Sequence, residues 1–269
     1  MLKIRCQKSK RGVGKDNMLQ MVVASILEKK LSEIPDFKKI YFEENQTIDV
    51  ALEKALDIFG YSYVLWFEKS SITWTGLYIV LGLTKKGFNH CEVYENGKSI
   101  YNPYRHRGSI QTVRTTIGLV PYDPIMIRDT TYSIGIDGVD VTSSSYTLRA
   151  CLAQLLNIQL KEIPEFHNLH EPEWFDQFYG YLNSIGYTVA CYQGVRHFKG
   201  FTLQVGYTDD HECECVLKRD EEMYYNPSRR YNSLSRVAYT FMLIPHDPVR
   251  PGEKLSSEKV SEGSPAECR

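Results

Sequence analysis

The hydrophobic positions divide the chain into two similar halves. In the first, Leu19, Val22, Val23, Ile26 and Leu27 recur at helical spacing. In the second, Leu148, Cys151, Leu152, Leu155 and Leu156 do the same. Asp16 or Asn17, and Ser144 or Ser145, stand where helix caps belong. A second helix is predicted over Ile48–Phe59 and over Glu173–Ile185, with Gly60 and Gly186 as C-terminal stops. After these the period changes to that of strands. Leu77–Leu83 and Asn89–Tyr94 read as strands, and Ser99–Asn102 follows the turn Glu95-Asn96-Gly97-Lys98. An Asn-Gly pair between such runs is a strong hairpin signal. Helices followed by an antiparallel sheet predict an α+β unit.

The halves are related by self-comparison. LQMVVASILEKKLSEIPDF (19–37) aligns with LRACLAQLLNIQLKEIPEF (148–166) at an offset of 129, with 8 of 19 positions identical. Phe59-Gly60-Tyr61 matches Ile185-Gly186-Tyr187 at 126. Tyr101-Asn102-Pro103 matches Tyr225-Asn226-Pro227 at 124, as Leu119–Pro124 matches Leu243–Pro248. Four blocks in one order define a tandem duplication. The expected domains are residues 1–128 and 129–250, with a Gly- and Ser-containing joint within 125–145. The polar tail, 251–269, is expected to be disordered.

Composition narrows the function. The 269 residues are 42% hydrophobic and 24% charged, which is globular. Thirty-two basic against 33 acidic residues leave a net charge of -1, so nucleic acid is not the expected partner. No apolar run has the length of a membrane span, and the first residues do not read as a secretory signal. The reading is cytoplasmic. Seven irregularly spaced cysteines then predict free thiols. Gly12-Val13-Gly14-Lys15 lacks phosphate-loop spacing. His211, Cys213 and Cys215 alternate along a strand, but a fourth zinc ligand and knuckle spacing are missing. No metal and no cofactor is assigned.

Cys151-Leu152-Ala153-Gln154-Leu155-Leu156 followed by Glu162-Ile163-Pro164-Glu165-Phe166, then a His, then His246-Asp247-Pro248, resembles the papain-like cysteine peptidase superfamily. The nearest in style are the double-glycine leader peptidases and related phage-borne domains. The first half repeats the pattern with Val22–Leu27 and Glu33–Phe37. The resemblance implies a nucleophile at a helix N-terminus, a His that takes its proton, and an Asn that orients the His. Hairpin counting from Asn96-Gly97 brings His90 within a diagonal of Asn102. In the second half His211 precedes Asn226. The nucleophile falls at Met18 in the first half and at Thr147 in the second, with Cys151 one turn deeper. Met18 is inert, and Thr147 is not an N-terminal threonine.

The expectation is therefore a non-catalytic pair of degenerate papain-like units, phage-encoded by resemblance, that binds or inhibits a protein or an anionic ligand. Arg105, Arg107, Arg229 and Arg230, which follow the two Asn-Pro pairs, are the candidate ligand contacts. The alternative is an amide hydrolase or acyltransferase that uses Thr147 or Cys151, His211 and Asn226, with His90 and Asn102 as a remnant. A third class is an assembly component. The bland readings stand beside these: a His bonded to backbone, an Asn-Pro pair that ends a strand, a charged loop.

Overall fold

The computed structural model describes residues 17–42, 47–67, 75–125, 145–166, 168–171, 173–228 and 230–252. Residues 1–16, most of the joint between the halves, Arg229 and the tail from 253 onward lie outside the described residues.

The first half contains α1 (Met18–Ile26), α2 (Phe37–Phe42), α3 (Ile48–Asp57) and five strands. These are β1 (Tyr61–Phe67), β2 (Leu77–Thr84), β3 (Asn89–Glu95), β4 (Lys98–Tyr101) and β5 (Ile110–Pro121). The second half contains α4 (Tyr146–Leu156), α5 (Glu173–Ser184), β6 (Tyr187–Gln193), β7 (Phe201–Tyr207), β8 (Cys213–Arg219), β9 (Glu222–Tyr225) and β10 (Arg236–Pro245). The antiparallel sheets run β1-β5-β2-β3-β4 and β6-β10-β7-β8-β9. Strand for strand, the two orders are the same. The fold is α+β.

Local chemistry repeats where sequence identity has been lost. Gln20 and Arg149 stand at equivalent places in α1 and α4. The Gln20 amide donates to the Ile34 carbonyl at 2.7 Å, and the Arg149 guanidinium donates to that of Ile163 at 3.0 Å. Each buried side chain pins the turn that carries the Ile-Pro pair onto its helix. Gly60 and Gly186 follow α3 and α5 with φ of 76° and 91°, a conformation glycine adopts without strain.

Each sheet has two apolar faces. Tyr61, Ile79, Cys91, Val93, Ile117 and Leu119 pack under α1 and α3. Val189, Leu203, Cys215, Leu217 and Phe241 pack under α4 and α5. The alternate residues face the other way and form one shared core: Val64, Tyr78, Val80 and Val120 against Ala190, Met242 and Ile244. The layers are therefore helix, sheet, sheet, helix, with the sheets back to back.

The contacts between the sheets obey a pseudo-two-fold axis. Leu77 N donates to His246 O at 2.8 Å, and Phe201 N donates to Tyr122 O at 3.1 Å. Tyr61 Oη donates to Pro248 O at 2.6 Å, and Tyr187 Oη donates to Pro124 O at 3.0 Å. The two Asp-Pro turns thus clasp the opposite unit.

His246 sets a pH dependence. Its ring is buried at this joint, and Nε2 has no hydrogen-bond partner. Burial pushes its pKa below the ordinary value of 6.5, against a bond with the Tyr187 backbone that raises it. The unfolded chain therefore takes up a proton first. Stability is full above about pH 6.5 and is lost as pH falls from there through the folded pKa. The expected melting temperature drops between pH 7.5 and 5.5, and His246→Gln flattens that drop. An unchanged slope in the variant would assign it to another group.

Candidate functional site

The site residues gather where β3 and β8 leave their short edge partners. Beyond the turn at Asn96 and Gly97, Glu95 pairs with Lys98 and Tyr94 with Ser99. A bulge then makes Val93 pair with Tyr101. This is one residue off the hairpin count. The shift matters, because side chains alternate along a strand. Continued past Tyr101, it sets Asn102 opposite Glu92, on the face that also carries His90.

His90, Glu92, Ser99 and Asn102 form one network. His90 Nε2 lies 2.9 Å from Asn102 Oδ1 and 3.4 Å from Glu92 Oε1. Both neighbours are acceptors, so Nε2 carries a proton. Nδ1 is buried and without a hydrogen-bond partner. Glu92, fully buried, accepts from Ser99 Oγ at 2.5 Å, Asn102 Nδ2 at 3.0 Å and Ile110 N at 3.1 Å. Burial pushes its carboxyl up. The bonds from His90, Ser99 and Ile110 outweigh burial and hold the carboxyl below the ordinary range. Asn102 Oδ1 also accepts from Tyr104 N at 2.9 Å, which closes the turn after the strand. The orienting and turn-making readings of this Asn are both realised by one oxygen.

In the second unit the structure corrects the choice of His211. His211 N donates to Thr208 O, just as Gly87 N donates to Thr84 O, and the two residues have φ of 64° and 79°. His211 is thus the counterpart of Gly87, an exposed corner before β8. The residue opposite Gly206, as His90 is opposite Gly82, is Glu214. The hairpins are equal in length and share the bulge, since Leu217 pairs with Tyr225 as Val93 does with Tyr101. Counted from His211 the second hairpin is three residues longer than the first, and counted from Glu214 the two are equal.

Unit two therefore carries Glu214 for His90, Val216 for Glu92 and Met223 for Ser99. Only Asn226 is kept. Asn226 Oδ1 accepts from Ser228 N at 3.0 Å, the same turn as in unit one. Thr147, in the first turn of α4, accepts from Cys215 N at 2.9 Å. Ser228 Oγ is 3.4 Å from Glu214 Oε1, and Oε2 is buried without a partner. Burial pushes the Glu214 carboxyl above the ordinary range, against hydrogen bonding from Thr147 and Ser228. Cys151 is fully buried, its Sγ 3.4 Å from Cys215 O. It is a core residue facing strand backbone. Cys213 and Cys215 are buried as well, and Cys91, Cys151, Cys191, Cys213 and Cys215 are free thiols.

The arginine loops differ between the units. Arg105 is exposed, and the Arg107 guanidinium lies 5.0 Å from the Tyr104 ring centroid. Arg230 is exposed, with its backbone N on Ser228 Oγ at 3.3 Å. Among the described residues no group of three or more His, Cys, Asp or Glu is arranged to hold a metal. Among the same residues no helix is long and apolar enough to cross a membrane.

Glu214 is the candidate-site position that the sequence reading passed over. Its signal was present, because the offset of 124 that aligns the Tyr-Asn-Pro blocks carries His90 onto it.

No protein-family model, no curated protein and no solved structure matches this chain.

Proposed function

We propose that this is a non-catalytic binding protein made of two degenerate papain-like units. Its ligand is a protein or a small anion, met by Arg105, Arg107, Arg229 and Arg230. A phage-encoded inhibitor or effector fits this role. One observation carries the reading: at the positions the resemblance assigns, neither unit holds both a histidine base and a nucleophile. Unit one keeps a His90–Asn102 pair at 2.9 Å, but Met18 stands at the helix start and the His90 side chain is sealed from solvent. Unit two keeps a hydroxyl at Thr147 and the Asn226 turn, but Glu214 replaces the histidine. A thioether cannot attack a carbonyl, and a threonine hydroxyl without a poised base is a weak nucleophile.

A hydrolase or acyltransferase reading of unit two draws on Glu214 alone, whose raised pKa suits a base beside Thr147. Intact-mass analysis after incubation with p-nitrophenyl acetate separates the two. The expected spectrum shows no acyl adduct on Thr147 or Cys151. An adduct that disappears in Thr147→Ala, with turnover, would establish the enzyme instead. For the binding role, calorimetric titration of inorganic phosphate is expected to give saturable heat that Arg105→Ala and Arg230→Ala together reduce. Heat unchanged by that pair would remove the arginine loops from the proposal.

A further inference from the structure

β1 is an edge strand: among the described residues it pairs with β5 alone. The bond from Tyr122 N to Gly60 O, with the unbroken register from Tyr61 to Phe67, fixes which way its backbone faces. Ser62, Val64 and Trp66 turn their N–H and C=O groups toward β5. Tyr63 and Leu65 turn theirs to the open edge. The strand reads YSYVLWF, without a charge, a proline or a bulge, the usual guards of an exposed edge.

That edge forms one wall of a groove of about 330 Å³ between the units. The opposite wall is Arg196, His197, Phe198 and Lys199, from the loop joining β6 and β7. Tyr192 and Met242 of the second sheet also line it, and so does one acidic residue, Glu53. The wall's charges are not equivalent. Lys199 is bonded to Asp57, and His197 Nδ1 is 2.7 Å from Glu221 Oε2. Arg196 is exposed, its guanidinium 5.2 Å from the Tyr192 ring centroid, and no carboxylate among the described residues pairs with it.

We propose that this groove captures an extended acidic peptide segment of a partner protein by β-strand addition to β1. Its backbone bonds to Tyr63 and Leu65. Alternate side chains of the added strand enter the face shared by Val64, Tyr192, Phe198 and Met242, and an acidic side chain meets Arg196. Main-chain bonding supplies the generic affinity, and the free guanidinium over an aromatic ring selects a carboxylate. The groove borders the edge of the sheet opposite β4, away from His90 and Asn102. Its failure would leave the reading of the degenerate sites untouched, and the converse holds too.

The probe is a capped hexapeptide of alternating valine and glutamate, titrated into the isotope-labelled full chain. The expected result is saturable binding, with shifted and exchange-protected amides at Tyr63 and Leu65. N-methylation of every second peptide amide is expected to abolish it, because it removes the ladder donors. Arg196→Glu, on an exposed loop, is expected to weaken the glutamate peptide roughly tenfold and to favour the lysine analogue. Equal binding of the N-methylated peptide overturns the proposal, as does unaltered exchange at Tyr63 and Leu65. Absence of saturation up to about 1 mM, an affinity of only about 4 kcal/mol, also overturns it. Concentration-dependent dimers that protect the same two amides would assign the edge to a second copy of this chain.

Discussion

Gly200→Ala and Gly76→Ala are each expected to destabilise the protein by about 2–5 kcal/mol, the sum of close overpacking and a left-handed backbone. A Cβ at Gly200 would stand 2.8 Å from Tyr122 Cα, and one at Gly76 would stand 2.5 Å from His246 Cα. Both glycines have φ near 100°, at 104° and 97°, where an L side chain is strained even in open space. The neighbouring atoms are backbone, and they cannot step aside. Tyr122 O holds Phe201 N, and His246 O holds Leu77 N, one residue beyond each glycine. Relieving the clash means parting the two sheets at one end of their shared core. Urea unfolding measures the loss, and hydrogen exchange at the Leu77 and Phe201 amides reports where it occurs. A loss below about 1 kcal/mol at either site would mean that the sheets slide freely, and the clasp would not be structural.

Glu92→Ala should rank beside these, at about 3–5 kcal/mol, because it removes the acceptor of four donors at once, two of them on the buried residues His90 and Ile110. Ser99 Oγ, Asn102 Nδ2, Ile110 N and His90 Nε2 all point at this carboxylate. Glu92→Gln keeps the volume but turns one oxygen into a donor, and it should cost less. The same carboxyl contributes an acid limb to stability. Its folded pKa is held below the ordinary carboxylate value of 4.5, so its contribution is complete above about pH 4.5 and is lost as pH falls through the folded pKa. That window lies below the one His246 governs, so the two limbs separate in a pH series of melting curves. If Glu92→Gln melts with the same acid limb as the native chain, the carboxylate is not the group responsible.

The duplication was legible from a few short blocks because the contacts behind them are local. The Glu-Ile-Pro motif survives in both halves because its carbonyls are held by the residue at position 20 or 149, 14 positions back in each case. The first hairpin could be read from Asn96-Gly97. Its counterpart could not, because Asp220-Glu221 adopts the same turn with φ of 50° and 73° and carries no glycine. There the backbone is held from outside the hairpin. Asp220 Oδ1 accepts from Gly200 N at 2.8 Å, as Asn96 Oδ1 accepts from Gly76 N at 2.9 Å. A turn made by a distant partner leaves little trace in its own dipeptide.

The candidate site divides in the same way. That His90 meets Asn102 follows from the hairpin. That both also reach Glu92 follows from a bulge at Ile100, which hairpin counting does not contain. Asn226 and the arginine loops were found by their place in the repeat, and Thr147 by the resemblance that places a nucleophile at the helix start. His211 was misplaced because it was sought by residue type, while the repeat itself led to Glu214.

The sequence by itself determined the tandem repeat, the succession of helices and then strands in each half, and the turns closed by residues a few positions apart. Each depends on periodicity or on nearest neighbours along the chain. The tertiary structure alone decided that the two sheets stack back to back, that Gly76 and Gly200 must be bare, and that a neutral strand edge faces Arg196 across a groove. These depend on surfaces brought together from opposite halves of the chain. An alternating strand with two apolar faces does not say which of them a helix will cover and which a second sheet will meet.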